Sequence, residues 1–150
     1  METLEIVWQR LVVGGQTCAR CGDTGEAVLS AVGTLTEALR PLGIEPVLRT
    51  VEIDQSSFDE SPAESNKILV AGKDLESWVG ATTGQSRCCS VCGDNECRTV
   101  DVNGTAYEAV PEWLIVKAAL LAAIDVHEES VDRADRASAS CSGPSCVTAC

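Results

Sequence analysis

The feature that most constrains this chain is a pair of cysteines at the junction of an apolar run and an amphipathic run. Cys18 and Cys21 are separated by two residues, and they lie between the apolar run from Leu4 to Val13 and the run from Ala27 to Leu39. The first run is short and rich in β-branched residues, which predicts a buried strand. The second repeats apolar residues every three or four positions, which predicts a helix. The cysteines are therefore expected at a strand-to-helix turn.

A cysteine at the start of a helix is well placed to react. The first helical turn leaves backbone N–H groups unpaired and carries the positive end of the helix dipole, so it favours a thiolate over a thiol. We predict Cys18 as the nucleophile and Cys21, one helical turn later, as the resolving thiol. The positive charge of Arg20 favours the same thiolate. The spacing also suits a disulfide or a shared soft metal ion, and these alternatives stay open.

The cysteine content limits the classes of protein to consider. The chain has 150 residues and nine cysteines. A chain of this length can bury a core without disulfides or metals, and an odd number of cysteines cannot all pair within one chain. No basic and then apolar segment opens the sequence, and no apolar run is long enough to span a bilayer. We therefore expect a cytoplasmic protein, in which clustered cysteines more often bind metals or carry out redox chemistry than pair stably.

The charge of the chain bears on its partners. The formal net charge is −12 at pH 7, which repels nucleic-acid phosphates and anionic membranes. The sequence contains no glycine-rich phosphate loop, no nucleophile elbow and no His-x-x-x-His pair, so nucleotide chemistry, serine hydrolysis and zinc proteolysis are unsupported. We expect a thiol or disulfide protein or a soft metal ion as the partner, and neither nucleic acid nor a membrane.

The remaining elements predict a mixed sheet with flanking helices. Pro46 to Ile53 is a second strand, expected to lie parallel to the first, and Lys67 to Lys73 is a short strand that ends in a turn. Asn103-Gly104 predicts an antiparallel hairpin, and Pro111 begins a largely buried helix. The fold class is therefore α/β.

A second group of cysteines follows in the middle of the chain. Four sulfurs lie within ten residues, next to Gly93 and other turn-forming residues, at Cys88, Cys89, Cys92 and Cys97. Four thiolates saturate tetrahedral zinc, so a structural zinc knuckle is one interpretation, and an iron–sulfur site is another. The adjacent Cys88 and Cys89 are awkward ligands for one ion. This suggests a third possibility, a thiol centre in which one sulfur exchanges with Cys18 or Cys21.

The end of the chain has a different composition. Beyond His127 the residues are charged or small and show no apolar periodicity, which predicts a flexible tail over residues 128–150. The tail carries Cys141, Cys146 and Cys150. Three thiols on a flexible segment can bind a thiophilic ion or pass it to the other cysteines.

The order of the elements resembles the thioredoxin-like fold, in which a strand, a Cys-x-x-Cys motif, a helix and a parallel strand are followed by antiparallel strands and a closing helix. More narrowly, four motifs are similar to those of a prokaryotic thioredoxin-like family of uncharacterised function, namely Thr17 to Cys21, Asn66 to Gly72, Cys88 to Arg98 and Tyr107 to Pro111. The similarity covers about residues 4–126. It implies a single thioredoxin-like domain over residues 1–127, with a cysteine-rich insert at about 84–98.

One position departs from the resemblance. Thioredoxin-like enzymes usually carry a cis-proline opposite the cysteine pair, and Ser65-Asn66-Lys67 occupies that place here, while Pro62 lies several residues too early. That proline normally keeps metals away from the pair. Its replacement leaves room for metal binding at Cys18 and Cys21.

Together these patterns predict a thiol protein. We expect thiol–disulfide exchange, capture of soft metals such as mercury, arsenic, copper or zinc, or both, through Cys18 and Cys21, with the second cluster as a further thiol centre. Redox exchange would need no cofactor, whereas capture would involve zinc or another thiophilic ion. The alternative is a non-enzymatic module that binds zinc or an iron–sulfur cluster.

Overall fold

The computed structural model describes residues 1–88 and 93–140, which form an α/β structure with two sheets. The first sheet has four strands, and they are β1 (Glu2–Leu11), β2 (Ile44–Ile53), β3 (Lys67–Val70) and β4 (Lys73–Asp74). The second sheet has three, and they are β5 (Thr82–Arg87), β6 (Glu96–Val102) and β7 (Thr105–Tyr107). The helices are α1 (Ala19–Leu39), α2 (Gln55–Glu60), α3 (Leu75–Val79) and α4 (Glu112–Ser140). The strand orders are β2-β1-β3-β4 and β5-β6-β7.

The predicted strand, helix and parallel strand at the start of the chain are confirmed. β1 and β2 pair in parallel along their whole length, from Glu2 opposite Ile44 to Leu11 opposite Ile53. α1 connects them and begins at Ala19, eight residues before the apolar run from which it was predicted. A short 3-10 turn follows α1, and the chain then reverses at Gly43, whose φ of 66° lies in the left-handed region.

The antiparallel strands are divided between the two sheets. The pattern of Lys67 to Lys73 predicted a short strand that ends in a turn, and β3 is that strand. It pairs antiparallel with β1, and β4, which was not predicted, pairs with β3 across the turn. The predicted hairpin at Asn103-Gly104 is also present, with φ of 49° and 84°, but it joins β6 to β7 in the second sheet. β5 was not predicted, because Thr82–Arg87 contains no apolar side chain, and it forms by pairing with β6.

The core lies where α1 and α4 pack on each other and on the first sheet. Its fully buried side chains include Leu4, Ile6, Leu11, Leu35, Leu114 and Ile115. α1 approaches β1 closely at Gly25, where an added Cβ would lie 2.4 Å from Cη2 of Trp8. Only glycine allows the helix to approach the indole ring so closely.

The structure corrects the predicted end of the last helix. A flexible tail was expected from residue 128, but α4 continues to Ser140. Most of residues 128–139 are exposed, so packing on the core does not hold this segment in place. Alanine, glutamate and arginine favour the helical backbone without tertiary contacts, and they are frequent here. Cys141, Cys146 and Cys150 lie outside the described residues. None of the helices in the described ranges is both long and apolar enough to cross a bilayer.

Candidate active site

The segment of chain that precedes the cysteine pair is a tight turn. Val13 and Gln16 exchange two backbone hydrogen bonds of 2.9 and 3.1 Å, and between them Gly14 and Gly15 adopt left-handed φ angles of 58° and 77°. The turn leads directly to Cys18, the N-cap residue of α1, whose carbonyl oxygen accepts the first helical hydrogen bond at 2.9 Å. The expected strand-to-helix turn is therefore observed, and it places Cys18 at the positive end of a 21-residue helix.

Cys21 lies one turn into α1 and is completely buried. Its Sγ is 3.6 Å from the hydroxyl oxygen of Ser65. A hydrogen bond with Cys18, burial and the negative charge of Cys18 raise the pKa of the Cys21 thiol well above its ordinary value of 9.0, and hydrogen bonds with Ser65 and Thr17 offset only part of that rise. Cys21 therefore keeps its proton at neutral pH.

A third thiol lies against the pair. Cys88 directly follows β5 and is half-buried, and its Sγ lies 3.5 Å from the Sγ of Cys18. The two residues are 70 positions apart in the chain. The tertiary structure thus brings one cysteine of the second cluster to the first.

Arg20 connects the cysteine motif to the β5–β6 hairpin. Its side chain is 6% exposed and donates hydrogen bonds to the carbonyl oxygens of Arg87 at 2.9 Å, Ser86 at 3.3 Å and Cys97 at 3.4 Å. It also forms an ion pair of 3.2 Å with Glu108. These contacts hold both strands of the hairpin next to the start of α1. From the sequence, Arg20 was expected to favour the thiolate through its charge, and that effect stays a prediction.

Of the other cysteines of the second cluster, Cys97 lies in the part of the chain that the structure describes, and the other two do not. Cys97 is in β6, where it is fully buried in the core. Cys89 and Cys92 lie outside the described residues, so the predicted knuckle of Cys88, Cys89, Cys92 and Cys97 stays a prediction. Within residues 1–88 and 93–140, no group of three or more His, Cys, Asp or Glu side chains is arranged to hold a metal ion.

Ser65 is the site residue that sequence reasoning did not assign. Its hydroxyl oxygen accepts the backbone N–H of Leu11 at 3.3 Å while it contacts Cys21. The next residue, Asn66, has a left-handed φ of 57° and donates from its side-chain amide to the carbonyl oxygen of Glu108 at 3.0 Å. The available signal was the resemblance, because it placed the segment Ser65-Asn66-Lys67 opposite the cysteine pair.

Comparison with known protein families gives a match that covers most of the chain. The model of a domain of unknown function, DUF2703, matches residues 4–119. The chain belongs to the DUF2703 family. The DUF2703 match includes Cys18, Cys21, Cys88 and the whole second sheet, and it ends within α4.

The DUF2703 chain also has a curated relative. A protein of Archaeoglobus fulgidus described as "Uncharacterized protein" is 45% identical to it over 112 residues, which is 75% of this chain and 82% of the relative. No solved structure matches the chain.

Proposed function

We propose that this member of the DUF2703 family is a thiol–disulfide oxidoreductase in which Cys18 attacks and Cys21 resolves. The observation that carries the proposal is the position of Cys18 at the N-cap of α1, with a buried and protonated Cys21 one turn later. Helix N-termini favour thiolates, and a neighbouring thiol that holds its proton leaves the negative charge of the pair on Cys18. The active nucleophile and its partner then have separate roles.

The strand arrangement supports the finer assignment of a thioredoxin-like domain. β1 is parallel to β2 and antiparallel to β3, α1 joins the parallel pair, and α4 closes the unit. This is the order of elements on which the resemblance rests. In this proposal residues 1–127 form the domain, and its cysteine-rich insert is residues 84–98, which include most of β5 and the first residues of β6.

The exchange consists of two steps. The Cys18 thiolate attacks one sulfur of a substrate disulfide, so that a bond forms to Cys18 and the substrate disulfide breaks, releasing one substrate thiol. Cys21 then loses its proton and attacks the Cys18 sulfur, which releases the second substrate thiol and leaves a Cys18–Cys21 disulfide. The substrate is reduced by two electrons and the pair is oxidised by two.

The site also explains how Cys21 becomes reactive at the right moment. The effects that raise its pKa include the hydrogen bond with Cys18 and the charge of Cys18. In the mixed disulfide Cys18 carries no charge, so these two effects disappear; burial still raises the pKa of Cys21, and Ser65 and Thr17 still lower it, so the pKa is lower than before the attack. Attack on the substrate therefore activates the resolving thiol.

Soft-metal capture by the same thiols is the second candidate, favoured by the contact of Cys18 with both Cys21 and Cys88. Thiolates are the preferred ligands of mercuric, cuprous and zinc ions. Metal analysis and thiol counting on anaerobically purified protein test it. One bound ion per parent chain that is lost in Cys18→Ser supports capture; no bound ion in the parent, with Cys18 alkylated equally fast before and after metal is added, contradicts it.

The redox proposal is tested with Cys18→Ser and Cys21→Ser. Cys18→Ser should abolish rapid reaction with glutathione disulfide at neutral pH. Cys21→Ser should still react and form a mixed disulfide on Cys18 that lives longer than the one in the parent, since attack is intact and Cys21 no longer resolves it. Intact mass spectrometry distinguishes the species. Equal rates in both variants and the parent would remove the redox assignment.

A further inference from the structure

The contact between Cys18 and Cys88 provides a second thiol within reach of the nucleophile. Their Sγ atoms are 3.5 Å apart, and a disulfide requires about 2.05 Å, so a side-chain movement of about 1.5 Å would join them. Cys21 contacts Cys18 from inside the fold, whereas Cys88 contacts it from the end of β5.

We propose that Cys88 is a second resolving thiol, and that Cys18 exchanges its disulfide between Cys21 in the interior and Cys88 on the β5–β6 hairpin. The proposal rests on the proposed function in one respect, since it takes Cys18 as the attacking thiol. It adds a third redox-active residue, Cys88, and a step that converts the Cys18–Cys21 disulfide into a Cys18–Cys88 disulfide.

The hairpin holds Cys88 in position. The shortest of the carbonyl contacts of Arg20 is to Arg87, the residue before Cys88, and the other two are to Ser86 and Cys97 on opposite strands. A buried guanidinium with several donors restricts both strands relative to α1, which carries Cys18. The Cys88 thiol is therefore held close to Cys18 by a hairpin whose strands are restricted relative to α1. Such positioning raises the rate of an intramolecular attack.

The difference in burial gives the two resolving thiols different roles. Cys21 is completely buried, and Cys88 is half-buried. Cys18 is itself only 4% exposed, so Cys88 is the most exposed of the three cysteines. A Cys18–Cys88 disulfide can be attacked at Cys88 as well as at Cys18, and a second thiol protein or glutathione should therefore reduce it faster than the Cys18–Cys21 disulfide.

The transfer between the two disulfides is a balanced exchange. Starting from the Cys18–Cys21 disulfide, the thiolate of Cys88 attacks the Cys18 sulfur. The Cys18–Cys88 bond forms as the Cys18–Cys21 bond breaks, and the electron pair leaves on the Cys21 sulfur, which takes up the proton that Cys88 released. No oxidant or reductant is consumed, and the disulfide has moved from the buried pair to the hairpin.

The test follows the mixed disulfide formed by Cys21→Ser after a pulse of glutathione disulfide. We expect this mixed disulfide to decay as Cys88 attacks it, leaving a Cys18–Cys88 cross-link that peptide mapping with fragmentation identifies. In Cys21→Ser/Cys88→Ser the mixed disulfide should persist at least tenfold longer. Cys21→Ser/Cys89→Ser is the matched control, because it removes the adjacent cysteine, and it should decay as Cys21→Ser does.

Arg20→Lys in the Cys21→Ser background tests whether the hydrogen bonds of Arg20 to the hairpin are needed for attack by Cys88. Lysine keeps the charge but loses the planar set of donors, so we expect cross-link formation to slow on the order of tenfold relative to the rate of the initial attack. The melting temperature of each variant shows whether it is folded, and Cys88→Ala replaces Cys88→Ser if the serine variant unfolds.

The results distinguish failure of this inference from failure of the proposed function. If Cys18 reacts with glutathione disulfide but its mixed disulfide lives equally long with and without Cys88, then Cys88 is not a resolving thiol and the proposed function stands. The same conclusion follows if the cross-link maps to Cys89. If Cys18→Ser reacts as fast as the parent, both proposals fall.

Discussion

The hydroxyl oxygen of Ser65 lies 3.6 Å from the Sγ of Cys21 and accepts a hydrogen bond of 3.3 Å from the backbone N–H of Leu11. One side chain therefore contacts both the Cys21 thiol and the last residue of β1. Its effect is to lower the pKa of Cys21, against the larger effects of Cys18 and burial. Ser65 therefore holds the Cys21 thiol next to the end of β1. Its hydrogen bond with that thiol also lowers the pKa of Cys21.

Ser65→Ala should slow resolution and shift its pH dependence upward. Without the hydroxyl the pKa of Cys21 rises further, so a higher pH is needed to form its thiolate. The loss also leaves the buried N–H of Leu11 without this acceptor, which costs about 1–3 kcal/mol of stability. The decay of the mixed disulfide, measured between pH 6 and pH 9, checks the first effect. Exposed Ser56→Ala is the control, and identical pH profiles for the parent and Ser65→Ala would contradict the assignment.

Gly25→Ala should destabilise the protein although it lies in a helix. The added methyl group would meet Trp8 at 2.4 Å, and the packed core between α1 and β1 offers no room. We expect a loss of about 1–3 kcal/mol from overpacking. Gly33→Ala is the matched control in the same helix, since nothing lies within 4 Å of its Cβ, and it should stabilise by up to about 1 kcal/mol. Urea denaturation measures both, and opposite signs are the expected result.

The buried ion pair of Glu76 and Arg98 should be costly to break. The two side chains are 7% and 6% exposed, and their charged atoms are 2.8 Å apart. Glu76→Gln leaves the guanidinium buried without its counter-charge, which should cost about 3–5 kcal/mol. The exposed pair of Arg40 and Glu37 is the control, and Glu37→Gln should cost under about 1 kcal/mol. Similar losses in both variants, measured by urea denaturation, would contradict this account.

Glu64 should contribute stability that depends on pH. Burial raises its pKa, but hydrogen bonds from Lys67 and Gln9 outweigh that effect and hold it below the ordinary value of 4.5. The folded state therefore binds the proton less readily than the unfolded state. The contribution is present above pH 4.5 and is lost as the pH falls through the folded-state pKa.

Glu64→Gln should lower stability at pH 7 by at most about 1 kcal/mol, because the carboxylate is 42% exposed and solvent screens it. The difference from the parent should shrink as the pH falls below 4.5. Melting temperatures between pH 2 and pH 7 measure this, and the exposed Glu60→Gln should follow the parent throughout. A difference for Glu64→Gln that grows in acid would show that the sign is wrong.

Local patterns were sufficient for the elements that depend on neighbouring residues. Apolar periodicity located β1, β2 and α1, and Asn103-Gly104 identified a hairpin because both residues tolerate the positive φ that its turn requires. The place of Cys18 at the start of a helix followed from the same reasoning. The end of α4 was misplaced because the prediction looked for an apolar face, whereas exposed residues of high helix propensity extend the helix without one.

The sequence by itself therefore determined where β1, β2, β3, the β6–β7 hairpin and α1 form, and which two cysteines lie at the turn between β1 and α1. Only the tertiary structure decided that Cys88 meets Cys18, that Ser65 meets Cys21, and that Arg20 binds the hairpin instead of merely lying near the pair. Those contacts join residues 44 to 70 positions apart, and no local pattern encodes such a distance. They arise because the apolar faces of α1, α4 and both sheets are buried against one another, and this packing brings distant segments of the chain together.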